Sequence, residues 1–349
     1  MDAFILLADG TRLDGVLAGA ATAATGWVAA NTAVVGFQEM VTDPAYKGLL
    51  LAFTYPEIGN VGAAAAFGES ARVQAAGLVV KVLSGLRSHY TAEEDFEALL
   101  QHDGIPCLTD VDTRGLAVHL REHGEMAAAI APAAEDADAL RESLQAVERP
   151  AFMPTETLVA SEAADGPKVV VIDLGLRRSE LAQLALCCRP VLLPHDGDAS
   201  AVEAEGAAGV VVSDGPGGGL PAAETVRAVA SLMGKVPVLG WGLGHVALGM
   251  ALGCEPAFLK RGHHGVNYPV RCLVDGKAEV TGQRHTVMLA RESVEGSDRV
   301  ELLWENINDG TVEGIRSADG MATGLQFMPA AAQPGQVSAH VRRFVEQIS

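Results

Sequence analysis

Apolar and polar positions divide the chain into two styles of pattern. Over residues 1–131 the apolar runs are short and broken by turns. Residues 4–8 read as a strand, Asp9-Gly10 as a turn and the residues after it as a second strand, a hairpin signature. Turn signals recur at Gly15, Gly19, Gly26, Gly36 and Asp43-Pro44. Two helical patterns follow, at 93–102, with Thr91 as N-cap and Glu94 three residues on, and at 113–123. The expectation for 1–131 is a mixed α+β domain.

From residue 167 the pattern alternates. Residues 169–174, 191–194, 209–213 and 236–239 are apolar strand candidates, and a helical stretch opens at Ser179. Such alternation implies an α/β domain over 167–349, with a mainly parallel sheet flanked by helices and its site at the carboxyl ends of the strands. The sharpest signal lies at 236–253. A buried strand runs to Leu239. Gly240, Gly242 and Gly244 crowd a tight turn, and Val246, Leu248, Met250 and Leu252 suit a helix ending at Gly253. Strand, glycine turn and helix is the geometry of a nucleophile elbow. Its tip is Gly242, which has no side chain to attack with. The loop Ser213-Asp214-Gly215-Pro216-Gly217 leaves the third strand at the same edge and offers backbone N–H groups to an anion.

Composition changes this picture little. Of 349 residues 49% are apolar, enough for two cores and against wholesale disorder. The net charge of −19 disfavours nucleic acid and anionic membranes as partners. No run approaches the roughly 18 apolar residues of a membrane span, and residues 1–4 lack a basic signal-peptide region. Cys107, Cys187, Cys188, Cys254 and Cys272 have no framework spacing, which suits a reducing cytoplasm and neither disulfides nor a metal cluster. Residues 132–166 carry 8 acidic and 2 basic residues among many alanines, with Pro132, Pro150 and Pro154. They read as an acidic interdomain linker containing a short surface helix at 137–147.

Several motifs together carry a resemblance. They are Gly36-Phe37-Gln38-Glu39-Met40-Val41-Thr42-Asp43-Pro44, Thr54-Tyr55-Pro56-Glu57-Ile58-Gly59-Asn60-Val61-Gly62, Asp110-Val111-Asp112-Thr113-Arg114, the Gly215-Pro216-Gly217 loop, the elbow, and Gly262-His263-His264-Gly265-Val266-Asn267-Tyr268-Pro269-Val270. The C-terminal half resembles class I glutamine amidotransferase domains, and the whole chain resembles the small chain of carbamoyl-phosphate synthetase. The resemblance implies a partner large chain, which receives ammonia and binds ATP and magnesium. It also implies a place in pyrimidine or arginine biosynthesis. No cofactor or metal is implied for this chain itself.

The family hydrolyses glutamine with a Cys-His-Glu triad, cysteine serving because its thiolate attacks an amide carbon once a histidine takes its proton. Against that pattern Gly242 replaces the cysteine, Met328 the histidine and Ala330 the glutamate. Positions that hold substrate in the family depart too: Ala45 stands for serine, Val246 for glutamine, and Arg284, Thr286 and Val287 for asparagine, glycine and phenylalanine. Gly215, Gly217 and Leu243 remain as vestiges of the binding site. His245 reads as a helix-start or packing residue, His263-His264 as a structural or interface pair before a metal site, and Asp112-Thr113-Arg114 as a cap with an ion pair. Cys254 lies past the helix end, poorly placed for a substitute nucleophile. The expected function is that of a non-catalytic subunit holding or regulating an ammonia-using synthetase. Two readings stay beside it: a glutaminase working through unconventional residues, and a free-standing binding protein without a large chain.

Overall fold

A computed structural model describes residues 1–159, 165–331, 333 and 335–349. The chain forms two compact units, one of residues 1–150 with 260–265, the other of 151–259 with 266–349.

The first unit holds strands β1 (Asp2–Leu7), β2 (Arg12–Gly19), β3 (Ala24–Asn31), β4 (Leu49–Phe53), β5 (Glu57–Ile58), β6 (Gly77–Val79), β7 (Val82–Leu83), β8 (Pro106–Thr109) and β9 (Ala127–Pro132). Its helices are α1 (Phe37–Val41), α2 (Phe96–His102), α3 (Thr113–His123) and α4 (Ala137–Gln145). Strands β1-β2-β8-β6-β4-β3-β9 close into a barrel, with β9 pairing back onto β1 so that Ile5 faces Ile130. The run Leu49-Leu50-Leu51-Ala52-Phe53 is apolar throughout because both of its faces are buried. Leu50 and Ala52 pack with Ile5, Val28 and Ile130, while Leu49, Leu51 and Phe53 pack with Phe37, Val41 and Phe96 of the covering helices.

Strands β10 (Lys168–Asp173), β11 (Arg189–Pro194), β12 (Gly209–Val212), β13 (Val238–Trp241), β14 (Pro256–Cys272), β15 (Ala278–Leu289), β16 (Val300–Asn306), β17 (Val312–Ser317) and β18 (Ala322–Leu325) form one sheet. Its order is β11-β10-β12-β13-β18-β17-β16-β14-β15. Pairing is parallel from β11 to β18, as the alternation predicts, and antiparallel from β18 through β17 and β16 to β14. Helices α5 (Arg178–Ala185), α6 (Ala199–Ala204), α7 (Ala223–Leu232), α8 (Leu243–Ala251), α9 (Arg291–Glu295) and α10 (Ala339–Ile348) complete the second unit. Central strands are buried on both faces: Val170, Ile172, Val210 and Val212 enter one core, and Val169, Val171 and Val211 the other. No helix among the described residues is long and apolar enough to cross a membrane.

Three expectations are corrected. The expected linker 132–166 begins inside the first unit: α4 lays Leu144, with Leu140 and Val147 beside it, over Phe4, Leu6 and Ala129. The surface helix of that stretch is therefore part of a core, and the units divide after residue 150. Residues 160–164 of the linker, and Pro334 beyond Met328, lie outside the described residues. The helix expected from 93 starts only at Phe96, because Thr91 spends its side chain on a turn with His89 Nδ1 at 2.8 Å. The antiparallel half of the sheet has no counterpart in the alternation read from the sequence.

Candidate functional site

The elbow forms as the glycine pattern predicts. β13 ends at Trp241, Gly242 turns the chain with φ 55° and ψ −119°, and α8 begins at Leu243. That φ is one L side chains rarely adopt, so glycine suits the tip. The Gly242 N–H donates to Leu325 O at 2.8 Å, and its carbonyl accepts from His245 N–H at 3.1 Å. Gly244 lets α8 approach β12, since a Cβ there would lie 2.1 Å from Val212 O.

The space over the tip is filled. A Cβ on Gly242 would lie 1.9 Å from Asp214 Oδ1 and 2.1 Å from Asp214 Cγ. Asp214 sits in the glycine loop after β12. Its Oδ1 accepts N–H bonds from Leu243 at 2.8 Å and from Gly215 at 2.9 Å. The structure thus brings together two of the positions named from the sequence, Gly215 and Leu243, and gives their donors an acceptor from the same chain. Two converging backbone N–H groups form an oxyanion-binding arrangement, here occupied by a carboxylate. Gly217 lies against β15, where its carbonyl accepts from Thr286 N–H at 3.0 Å.

Arg284, on β15, closes the site from the other side. Its Nη2 donates to Asp214 Oδ2 at 2.7 Å and to Glu180 Oε1 at 3.2 Å, and its Nη1 reaches Met328 Sδ at 3.1 Å. Glu180, near the start of α5, also receives Arg177 Nη2 at 3.1 Å and accepts the Arg177 backbone N–H at 3.2 Å. All four charged residues are buried, and their formal charges cancel. Burial by itself raises both carboxyls. For Glu180 the two guanidiniums outweigh burial, and its pKa falls below the usual carboxylate range. Asp214 has one guanidinium and a neighbouring carboxylate in Glu180, so burial prevails and its pKa rises. Breaking one partner out of such a cluster costs about 3–5 kcal/mol, because a charge is left uncompensated.

The other sequence-named residues fall into place around this cluster or away from it. Met328 lies beside Arg284, whereas Ala330 is exposed and Val246 and Val287 belong to the core behind the elbow. His245 is fully buried, and burial pushes its pKa down to about 3, so it is a neutral packing group. His285 turns Nδ1 to Val287 O at 3.0 Å and Nε2 to Gln283 Oε1 at 3.3 Å. Cys254 is buried past the end of α8, and burial pushes its thiol up, which keeps it protonated. In the first unit Ala45 is buried in a turn capped by Asp43, Asp112 caps α3 through Gly115 N–H, and His264 pairs with Glu125 at 3.1 Å. The sequence reading missed Asp214, Glu180 and Arg177 as site residues. Only Asp214 carried a signal, a carboxylate inside a glycine loop.

A doubly covered sheet with a glycine elbow at its carboxyl edge defines the class I amidotransferase architecture. Residues 170–348 match the family model for "Glutamine amidotransferase class-I", and residues 5–130 match that for "Carbamoyl-phosphate synthase small chain, CPSase domain". The chain belongs to the carbamoyl-phosphate synthase small-chain family. The carbamoyl phosphate synthase small chain of Methanopyrus kandleri is 38% identical over 345 residues, covering 96% of this chain and 95% of that one. That of Symbiobacterium thermophilum is 37% identical over 339 residues (94% and 93%), and the pyrimidine-specific small chain of Lactiplantibacillus plantarum is 34% identical over 343 residues (98% and 94%).

Proposed function

We propose that the chain is a small-chain subunit that no longer hydrolyses glutamine and instead holds or regulates a large chain making carbamoyl phosphate from ammonia, bicarbonate and ATP. In this reading ATP and magnesium bind the large chain, and the complex works in the cytoplasm in pyrimidine or arginine biosynthesis. The observation that carries it is the Asp214 carboxylate, seated on the Leu243 and Gly215 N–H groups and locked by Arg284. An elbow thiol would need that space, and an oxyanion would need those donors. Met328 and Ala330 supply neither a base nor an orienting carboxylate. Loss of a catalytic triad as a unit costs roughly 10⁶ in rate in a well-studied serine protease, so hydrolysis at background is expected.

The test is carbamoyl-phosphate synthesis by the chain reconstituted with its large chain, fed ammonia or glutamine. Synthesis from ammonia alone supports the reading. Synthesis from glutamine would favour a glutaminase using unconventional residues. Failure of the two chains to associate at micromolar concentration would favour a free-standing binding protein.

A further inference from the structure

Two cysteines stand side by side in the turn that leads from α5 into β11, and the elbow uses neither. Both are free thiols, Cys187 partly exposed and Cys188 buried. They converge on one acceptor. The Leu184 carbonyl oxygen takes Cys187 Sγ at 3.5 Å and Cys188 Sγ at 3.2 Å. The same oxygen accepts the backbone N–H of Cys187 at 3.0 Å and that of Cys188 at 2.9 Å. A carbonyl has two lone pairs, so donors crowd this one, and the turn holds both sulfurs on the same side of the chain. Gly166 packs directly on the turn, where a Cβ would lie 2.8 Å from Cys187 O and 3.2 Å from Cys188 Cα.

The two thiols are unlike in reactivity. Hydrogen bonding from the Cys188 thiol holds the Cys187 pKa below the usual thiol range, against partial burial and with help from the Arg342 guanidinium. That bond, together with burial, pushes Cys188 up. Cys187 is therefore the nucleophile of the pair, because the thiolate is the reactive form and this sulfur is the one solvent reaches. Cys107 and Cys254 are buried with their thiols pushed up, so neither competes.

We propose that Cys187 and Cys188 form a reversible oxidation site, at which a hydroperoxide is reduced and the two sulfurs join. The Cys187 thiolate attacks one peroxide oxygen. The O–O bond breaks, the departing oxygen takes a proton and leaves as water or an alcohol, and Cys187 becomes a sulfenic acid. Cys188 sulfur then attacks Cys187 sulfur. The S–S bond forms, the S–O bond breaks, and the hydroxyl leaves as water with the Cys188 proton. The thiols give up two electrons and two protons, and the peroxide accepts them. Neighbouring Cα atoms lie about 3.8 Å apart across a trans peptide, closer than the roughly 4.4–6.8 Å that disulfides favour. The bond is strained and easily reduced, which suits a labile site rather than a structural bridge.

The experiment treats the reduced full chain with hydrogen peroxide, alkylates it after unfolding, and follows each cysteine by peptide mass spectrometry. The peptide carrying Cys187 and Cys188 should lose two hydrogens and escape alkylation, at least about tenfold faster than Cys254 is oxidised. Dithiothreitol should restore both thiols. Cys188→Ser should stop at a Cys187 sulfenic acid that dimedone traps, and Cys187→Ser should leave Cys188 reduced. Both variants are checked for parental melting, and the parent alone decides if either fails to fold. An unoxidised pair, a sulfenic acid that persists at Cys187 in the parent, a disulfide to another cysteine or between chains, or oxidation of Cys254 first overturns the proposal.

Discussion

Asp214 holds its carboxylate where a side chain on Gly242 would begin, 1.9 Å from the Cβ that such a side chain would carry. The two positions are 28 residues apart in sequence and come together at the carboxyl edge of β12 and β13. Loss of the side chain at the elbow and occupation of the site by a carboxylate are therefore one arrangement.

Restoring the thiol should damage the fold. Gly242→Cys places an L residue at φ 55°, which costs about 1–3 kcal/mol. It also expels Asp214 from the Leu243 and Gly215 N–H groups. Thermal melting should show a drop of several degrees, and glutamine hydrolysis should stay at background. Adding Met328→His and Ala330→Glu should give at most weak hydrolysis, because Asp214 and Arg284 still fill the site. Vigorous turnover by Gly242→Cys alone would mean that a base already stands beside the elbow.

The ionic cluster should behave as a unit. Arg284→Met leaves Asp214 and Glu180 buried with a single guanidinium between them and should destabilise the second unit by about 3–5 kcal/mol. The double variant Arg284→Met/Asp214→Asn removes one charge of each sign and should recover a good part of that loss. Denaturant unfolding of the parent, both single variants (Arg284→Met and Asp214→Asn) and the double variant measures the coupling. Additive effects would show that the Asp214–Arg284 pair is energetically idle.

His245 gives a pH signature. Its ordinary pKa is 6.5 and burial lowers it to about 3, so between those values the unfolded chain binds a proton that the folded chain refuses. Stability is then full above 6.5 and falls as the pH drops toward 3, by at most about 1.4 kcal/mol per pH unit from this group. Glu180, also lowered, adds a loss in the same direction below its ordinary 4.5, whereas Asp214, raised, acts oppositely. The difference between the parent and His245→Leu isolates the histidine. The parent should lose more stability than the variant between pH 6.5 and 5, and equal slopes would show that His245 is solvated.

Local pattern made the elbow readable: an apolar strand, three crowded glycines and an apolar helix lie within 18 residues, and each has a local conformational reason. The alternating segments around it gave the parallel sheet in the same way. The cluster filling the site was not readable, because Arg284 meets partners 70 and 104 residues away and nothing periodic connects them. In the sequence Arg284 stands out as a departure from a pattern, not as half of an ion pair. The barrel was hidden for a related reason. It closes through short strands such as β6 and β8, whose pairings span long stretches of chain. Residues 137–147 read as linker because acidic, alanine-rich composition marks the solvent face of α4, while Leu140, Leu144 and Val147 reach the core.

The central claim is that the chain serves a synthetase without hydrolysing glutamine. Its most direct test is glutamate release from glutamine by the parent chain in complex with its large chain, followed while ammonia-dependent carbamoyl-phosphate synthesis confirms that the complex is active. The account predicts glutamate release indistinguishable from that of the large chain alone. Release coupled to carbamoyl-phosphate formation would contradict it, and its loss on Cys254→Ala would name the nucleophile.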